Sequence, residues 1–181
     1  MFKLKISVCF IILILFGSCS KEVSKKDLIK EKSLELQVEE AYREGIEALN
    51  DGDVLFAAKK FNEAEILFPQ AVSAPQSALM AAYSYYTQDY YGDAISELER
   101  FLKVYPAHKD LGYAYYLLAI CYYEQIVDEK KDLQAIINAK ENFNIILKNY
   151  PNTEYAIDAE FKIDLINDIL AAKEMYLGRY Y

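Results

Sequence analysis

Residues 57–69 read AAKKFNEAEILFP, and within them Ala57, Phe61, Ala64 and Pro69 stand four, three and five residues apart. The same intervals return at Ala94, Leu98, Phe101 and Pro106, and again at Ala139, Phe143, Ile146 and Pro151. Positions three and four apart share one face of an α-helix. A small residue on that face lets a second helix come close, and a large one fills the space beside it. Proline then ends the helix, because it lacks the N–H and its ring clashes with the turn before it. One packing rule is therefore written three times.

A partner helix can be read beside each of these. Thirteen residues after Pro69 comes Ala82, and thirteen after Pro106 comes Ala119, with Tyr85 and Tyr122 three residues further on. Gly45 and Ala48 take the two places in the opening unit. This small-then-aromatic helix followed by a proline-ended helix resembles the tetratricopeptide repeat. The resemblance implies an all-α fold, a tetratricopeptide-repeat solenoid of antiparallel helix pairs. A single unit of this kind cannot bury its apolar stripe, so neighbouring units must stack.

The composition supports this reading. Of 181 residues 54% are apolar, enough for an ordinary core, and the formal net charge of −8 argues against a nucleic-acid backbone as partner. Three cysteines make no disulfide framework: Cys9 lies in a leader, Cys121 in an apolar helix, and only Cys19 has an informative setting. His108 is the single histidine and has no second ligand or orienting partner in the pattern, so it suggests neither a metal nor a catalytic role. Asn50-Asp51-Gly52-Asp53 lacks the spacing and closing glutamate of a calcium loop and reads as a turn with Asp53 as helix cap. Asp89 and Asp93 fall in an inner turn and do not form the opposed carboxylates of glycoside chemistry. No catalytic residue, metal ligand or cofactor is expected.

The chain opens with Lys3 and Lys5, an apolar run from Ile6 to Phe16, and then Gly17, Ser18 and Cys19. A run of eleven residues is too short to cross a bilayer and matches a secretory leader. Phe16-Gly17-Ser18-Cys19 resembles the bacterial lipobox, which implies cleavage after residue 18 and lipid on Cys19. Ser20 resembles the residue found in lipoproteins sent to the outer membrane. Residues 19–37, rich in Lys, Glu and Ser, read as a flexible tether.

Three repeats are expected over residues 38–151, the third carrying eight extra residues around Val127 to Asp132. In the repeat frame Tyr85, Tyr115 and Tyr122 pack between helices. Tyr42, Tyr83, Tyr86, Tyr113, Tyr116 and Tyr123 are placed on the inner face, where they form a candidate protein-binding groove; plain packing could account for most of the same rings. Residues 152–181 read as a long linking helix, with Ala156, Ala159, Ile163, Ile166 and Leu170 on one face, leading into the start of a fourth repeat at Gly178. An apolar half-repeat at the end of the sequence suggests a truncated chain or a surface covered by a partner.

Four segments carry a more specific likeness: Ala41-Tyr42-Arg43-Glu44-Gly45, Ala94 to Phe101 with Tyr105-Pro106, Tyr150 to Ala156, and Lys173-Glu174-Met175 with Gly178-Arg179-Tyr180-Tyr181. With the lipobox and the enlarged third repeat, they resemble the BamD family, the lipoproteins of the outer-membrane β-barrel assembly machinery. The resemblance implies a non-enzymatic scaffold at the periplasmic face of the outer membrane, which binds unfolded outer-membrane proteins in its early repeats. It also implies partnership with BamA and other assembly-machinery subunits, with the BamA contacts in repeats beyond Tyr181. The alternative is another repeat lipoprotein of the envelope, a pilus-assembly or cell-division scaffold.

Overall fold

The computed structural model describes residues 33–126 and 133–179. The leader, Cys19 and the Val127–Asp132 insertion lie outside these residues. Seven α-helices follow one another: α1 Leu34–Asn50, α2 Val54–Leu67, α3 Ala74–Tyr86, α4 Tyr91–Val104, α5 Leu111–Glu124, α6 Gln134–Asn149 and α7 Glu154–Gly178. Each packs chiefly on the helix before and the helix after it, with additional contacts of α3 to α5 and of α5 to α7. This is the pairwise stacking of a repeat array.

The repeated positions make the core. Ala57, Phe61, Ala94, Leu98, Phe101, Ala139, Phe143 and Ile146 are fully buried, as are Ala82 and Ala119 across from them. Tyr85 and Tyr122 lie half-buried against the same clusters. Gly45 shows why the small position is needed, since a Cβ there would come within 2.8 Å of the Phe61 ring. Gly112 of α5 meets the ring of Tyr150 in the same way, at 3.2 Å.

Helix ends follow local chemistry. Phe68, Tyr105 and Tyr150 leave the helical region with φ of −144°, −120° and −132°, as expected for residues whose successor is proline. Between α1 and α2, Gly52 takes φ +82° and the Asp53 carboxylate accepts from the Phe56 N–H at 3.1 Å. Asp89 takes the equivalent left-handed place (φ 63°) between α3 and α4. The second inner turn is shorter than Asp89–Asp93, because α4 already begins at Tyr91 and Asp93 sits in its first turn. At the other end, α1 starts at Leu34, ahead of the expected Val38. The Ser33 hydroxyl accepts from the Leu36 N–H at 3.4 Å, a cap that takes up the last part of the stretch read as tether.

A polar clasp joins the first two repeats. Glu65 of α2 is buried, and both its oxygens accept from Arg100 of α4, at 2.8 and 2.6 Å. The Tyr105 hydroxyl adds a third bond at 2.6 Å. Arg100 also donates to Glu97, which in turn accepts from Asn62 of α2. Burial pushes the Glu65 carboxyl up, but the bonds from Arg100 and Tyr105 outweigh it and hold the group below the ordinary value of 4.5.

Candidate protein-binding groove

The first helices of the repeats, α1, α3 and α5, supply the six tyrosines expected on the inner face, and α7 adds Tyr155. Because α3 touches α5 and α5 touches α7, side chains on that shared side look into one hollow. Tyr83 of α3 and Tyr113 of α5 line it with Leu79, Met80, Asp110 and Tyr155, around a cavity of about 430 Å³. The Tyr113 and Tyr155 rings lie 5.7 Å apart, and burial raises the pKa of both phenols. Neither Tyr83 nor Tyr113 donates its hydroxyl to another described residue.

Tyr42 lines a second cavity, of about 630 Å³, between α1 and the connection from α2 to α3. Its ring stands edge-on to Phe61 at 5.2 Å. Val38, Phe68 and Val72 supply apolar walls, and Glu35 and Glu39 a negative edge. Gln76 lines both cavities, so the two adjoin.

The remaining three tyrosines are engaged within the chain. Tyr86 packs against two core clusters and lies 6.3 Å from the rings of both Tyr83 and Tyr91. Tyr116 donates to Asp158 of α7 at 2.9 Å, with its ring 5.1 Å from Tyr155. Tyr123 lies against Phe143 at 6.5 Å and carries the Lys162 ammonium 4.3 Å above its ring. The helix α7 thus covers the last two. Tyr155, by contrast, is not placed on the inner face by the repeat frame; its signals in the sequence are its position just past Pro151 and its place in the Tyr150 to Ala156 segment.

Among the described residues no group of histidine, cysteine or acidic side chains is arranged to hold a metal ion. His108 packs edge-on to Phe101 at 5.7 Å, and its Nδ1 accepts from the Asp110 N–H at 3.3 Å. Cys121 is fully buried, and burial pushes its thiol up to about 12. The two cavities are lined by aromatic faces, a few hydrogen-bonding groups and a negative edge.

Residues 34–181 match the family described as YfiO, outer membrane lipoprotein. Three curated relatives share the name outer membrane protein assembly factor BamD. The one from Caulobacter vibrioides is 40% identical over 165 residues, covering 91% of this chain and 53% of its own length. The one from Rickettsia prowazekii is 35% identical over 176 residues, covering 97% and 68%. The one from Neisseria gonorrhoeae is 30% identical over 154 residues, covering 80% and 58%. The chain thus spans about half to two thirds of the length of these relatives. With the family match running through every described helix, the chain belongs to the YfiO family of outer membrane lipoproteins.

Proposed function

We propose that this chain is the membrane-proximal, substrate-recognising part of an outer-membrane protein assembly factor. In this reading lipid on Cys19 holds it at the periplasmic face of the outer membrane, and it acts by binding, without covalent chemistry. The observation that carries the proposal is the meeting of Tyr83 and Tyr113, from adjoining repeats, in one open hollow. The similarity to proteins named assembly factors supports it.

The hollow suits an extended segment of an unfolded outer-membrane protein. Tyrosine rings cover apolar and aromatic side chains and, with two side-chain torsions each, lose little entropy when they do so. Their free hydroxyls reach backbone carbonyls, and Asp110 and Gln76 can meet backbone N–H groups that such a segment leaves unpaired. BamA and the other assembly-machinery subunits are the partners to which this chain would pass or present its substrate.

Titration of the full chain with a fluorescent peptide from the C-terminal strand of a β-barrel protein tests the groove. Joint Tyr83→Ala and Tyr113→Ala substitution should weaken binding at least tenfold, while Leu55→Ala, at an exposed site on α2, leaves it unchanged. Equal affinity for the double variant and the parent, with unchanged circular dichroism, would rule the groove out.

A further inference from the structure

The two adjoining cavities of the groove share one electrostatic sign. Their charged lining residues are Glu35, Glu39 and Asp110, and no lysine, arginine or histidine among the described residues lines either one. In the hollow between the repeats the acid stands among rings. Tyr83, Tyr113 and Tyr155 wall it with Leu79 and Met80, and Asp110 supplies its charge. All of these but Tyr155 belong to α3, or to α5 and the residue that begins it, helices that already have a neighbour on either side in the array.

The Asp110 carboxylate has that charge to spare. Asp110 stands at the N-cap of α5, yet its side chain makes no capping bond. The side chain is 41% exposed, and the basic group in ion-pair range of it among the described residues is the imidazole of His108, with Nδ1 3.7 Å away. That nitrogen already accepts from the Asp110 N–H at 3.3 Å, so it has no proton to donate to the carboxylate. The charge is felt inside the hollow. Burial, followed by the negative charges of Glu154 and Asp110, raises the pKa of the Tyr155 phenol.

We propose that the hollow selects a lysine or arginine side chain in the segment it binds, and that Asp110 is the residue that reads its charge. This selectivity rests on the groove being the binding site for an unfolded segment. Tyrosine faces attract a cation and cover its methylene stem, and a carboxylate beside them adds an ion pair in a space partly closed to water. A backbone N–H is the other group that Asp110 could meet. Gln76, on the same lining, already offers an uncharged acceptor for that purpose, whereas a full charge discriminates chiefly between charges. The same lining repels an acidic side chain, so it sorts segments as well as holding them.

The test is a titration of the full chain with three fluorescent peptides that share one extended, aromatic-rich sequence and differ only in a central residue: Lys, Met or Glu. The Lys peptide should bind most tightly, about tenfold more so than the Glu peptide, with the Met peptide between them. Asp110→Asn, which keeps an oxygen for a backbone N–H, should remove most of that preference, and Asp110→Lys should reverse it. Because the carboxylate makes no capping bond, both variants should keep the parent's helical signal; if Asp110→Lys does not, Asp110→Asn alone decides. Equal affinity of the parent for the three peptides, or an order that Asp110→Asn leaves unchanged, would overturn the selectivity. The groove itself would survive that result if Tyr83→Ala with Tyr113→Ala still weakened all three. Binding of none of the peptides would instead remove the groove, and the selectivity with it. Tighter binding of free phosphocholine than of the Lys peptide would also overturn the proposal, making a quaternary ammonium headgroup the occupant.

Discussion

Arg100 grips both carboxylate oxygens of Glu65, at 2.6 and 2.8 Å, across the boundary between the first two repeats. The Glu65 side chain is 7% exposed and that of Arg100 38%, so the pair is sealed on the carboxylate side and open on the other. Removing Arg100 strands a buried charge. Arg100→Ala should cost about 3 kcal/mol, toward the lower end for a broken buried pair because the guanidinium is partly hydrated. Replacing both partners by apolar residues, Glu65→Met with Arg100→Leu, should cost much less. Urea denaturation of the three variants checks the order.

The same carboxylate sets an acid limit. Its pKa is depressed in the fold, so the stability it contributes is present above the ordinary value of 4.5 and is lost as pH falls through the depressed one. Glu65→Gln should therefore lower stability near neutrality and flatten its decline in acid. Denaturation midpoints measured from neutral pH downward check both parts.

At alkaline pH the sign is opposite. Burial, with hydrogen bonds to Glu65 and Glu99, pushes Tyr105 and Tyr122 up to about 12 from the ordinary 10.0, and burial raises Tyr113 further. The unfolded chain releases these protons first. Their contribution is complete below the ordinary value and fades as pH climbs toward the raised ones. Melting temperature should fall over that window, and phenolate absorbance should develop later in the folded chain than in the unfolded one.

Two glycines should respond in opposite directions to alanine. Gly45→Ala drives a Cβ into the fully buried Phe61 ring and should destabilise by about 1–2 kcal/mol, the overpacking cost less the gain in helix propensity. Gly92→Ala, in the first turn of α4 with open space around it, should stabilise by roughly 0.5 kcal/mol. Thermal melts of the two variants suffice.

The hold of α5 on α7 depends on few polar contacts. Tyr116→Phe removes the bond to Asp158 and should cost about 1 kcal/mol. Hydrogen exchange should show protection lost first along α7, with α2 and α4 little changed.

Much of this architecture could be read directly from spacing. Ala57, Phe61, Ala94, Phe101, Ala139 and Phe143 declare themselves because helix periodicity and close packing place demands on residue size at fixed intervals. The clasp was hidden for the opposite reason. Glu65 and Arg100 are thirty-five positions apart and each resembles an ordinary surface charge until the crossing of α2 and α4 brings them together. The groove was legible only in part. Tyr83 and Tyr113 follow the repeat frame, whereas the fate of Tyr116 and Tyr123 depended on where α7 lies, and α7 carries Asp164 where that frame calls for alanine.

Tyr91, Tyr105, Tyr116 and Tyr122 all donate to carboxylates, those of Asp89, Glu65, Asp158 and Glu99. A chain with more acids than bases thus finds neutral phenols as partners for part of its surplus. Unlike ion pairs at a surface, such short-range bonds are little weakened by dissolved ions. The joints between helices should therefore hold when the surrounding ionic strength changes, as it does for a protein outside the cytoplasmic membrane.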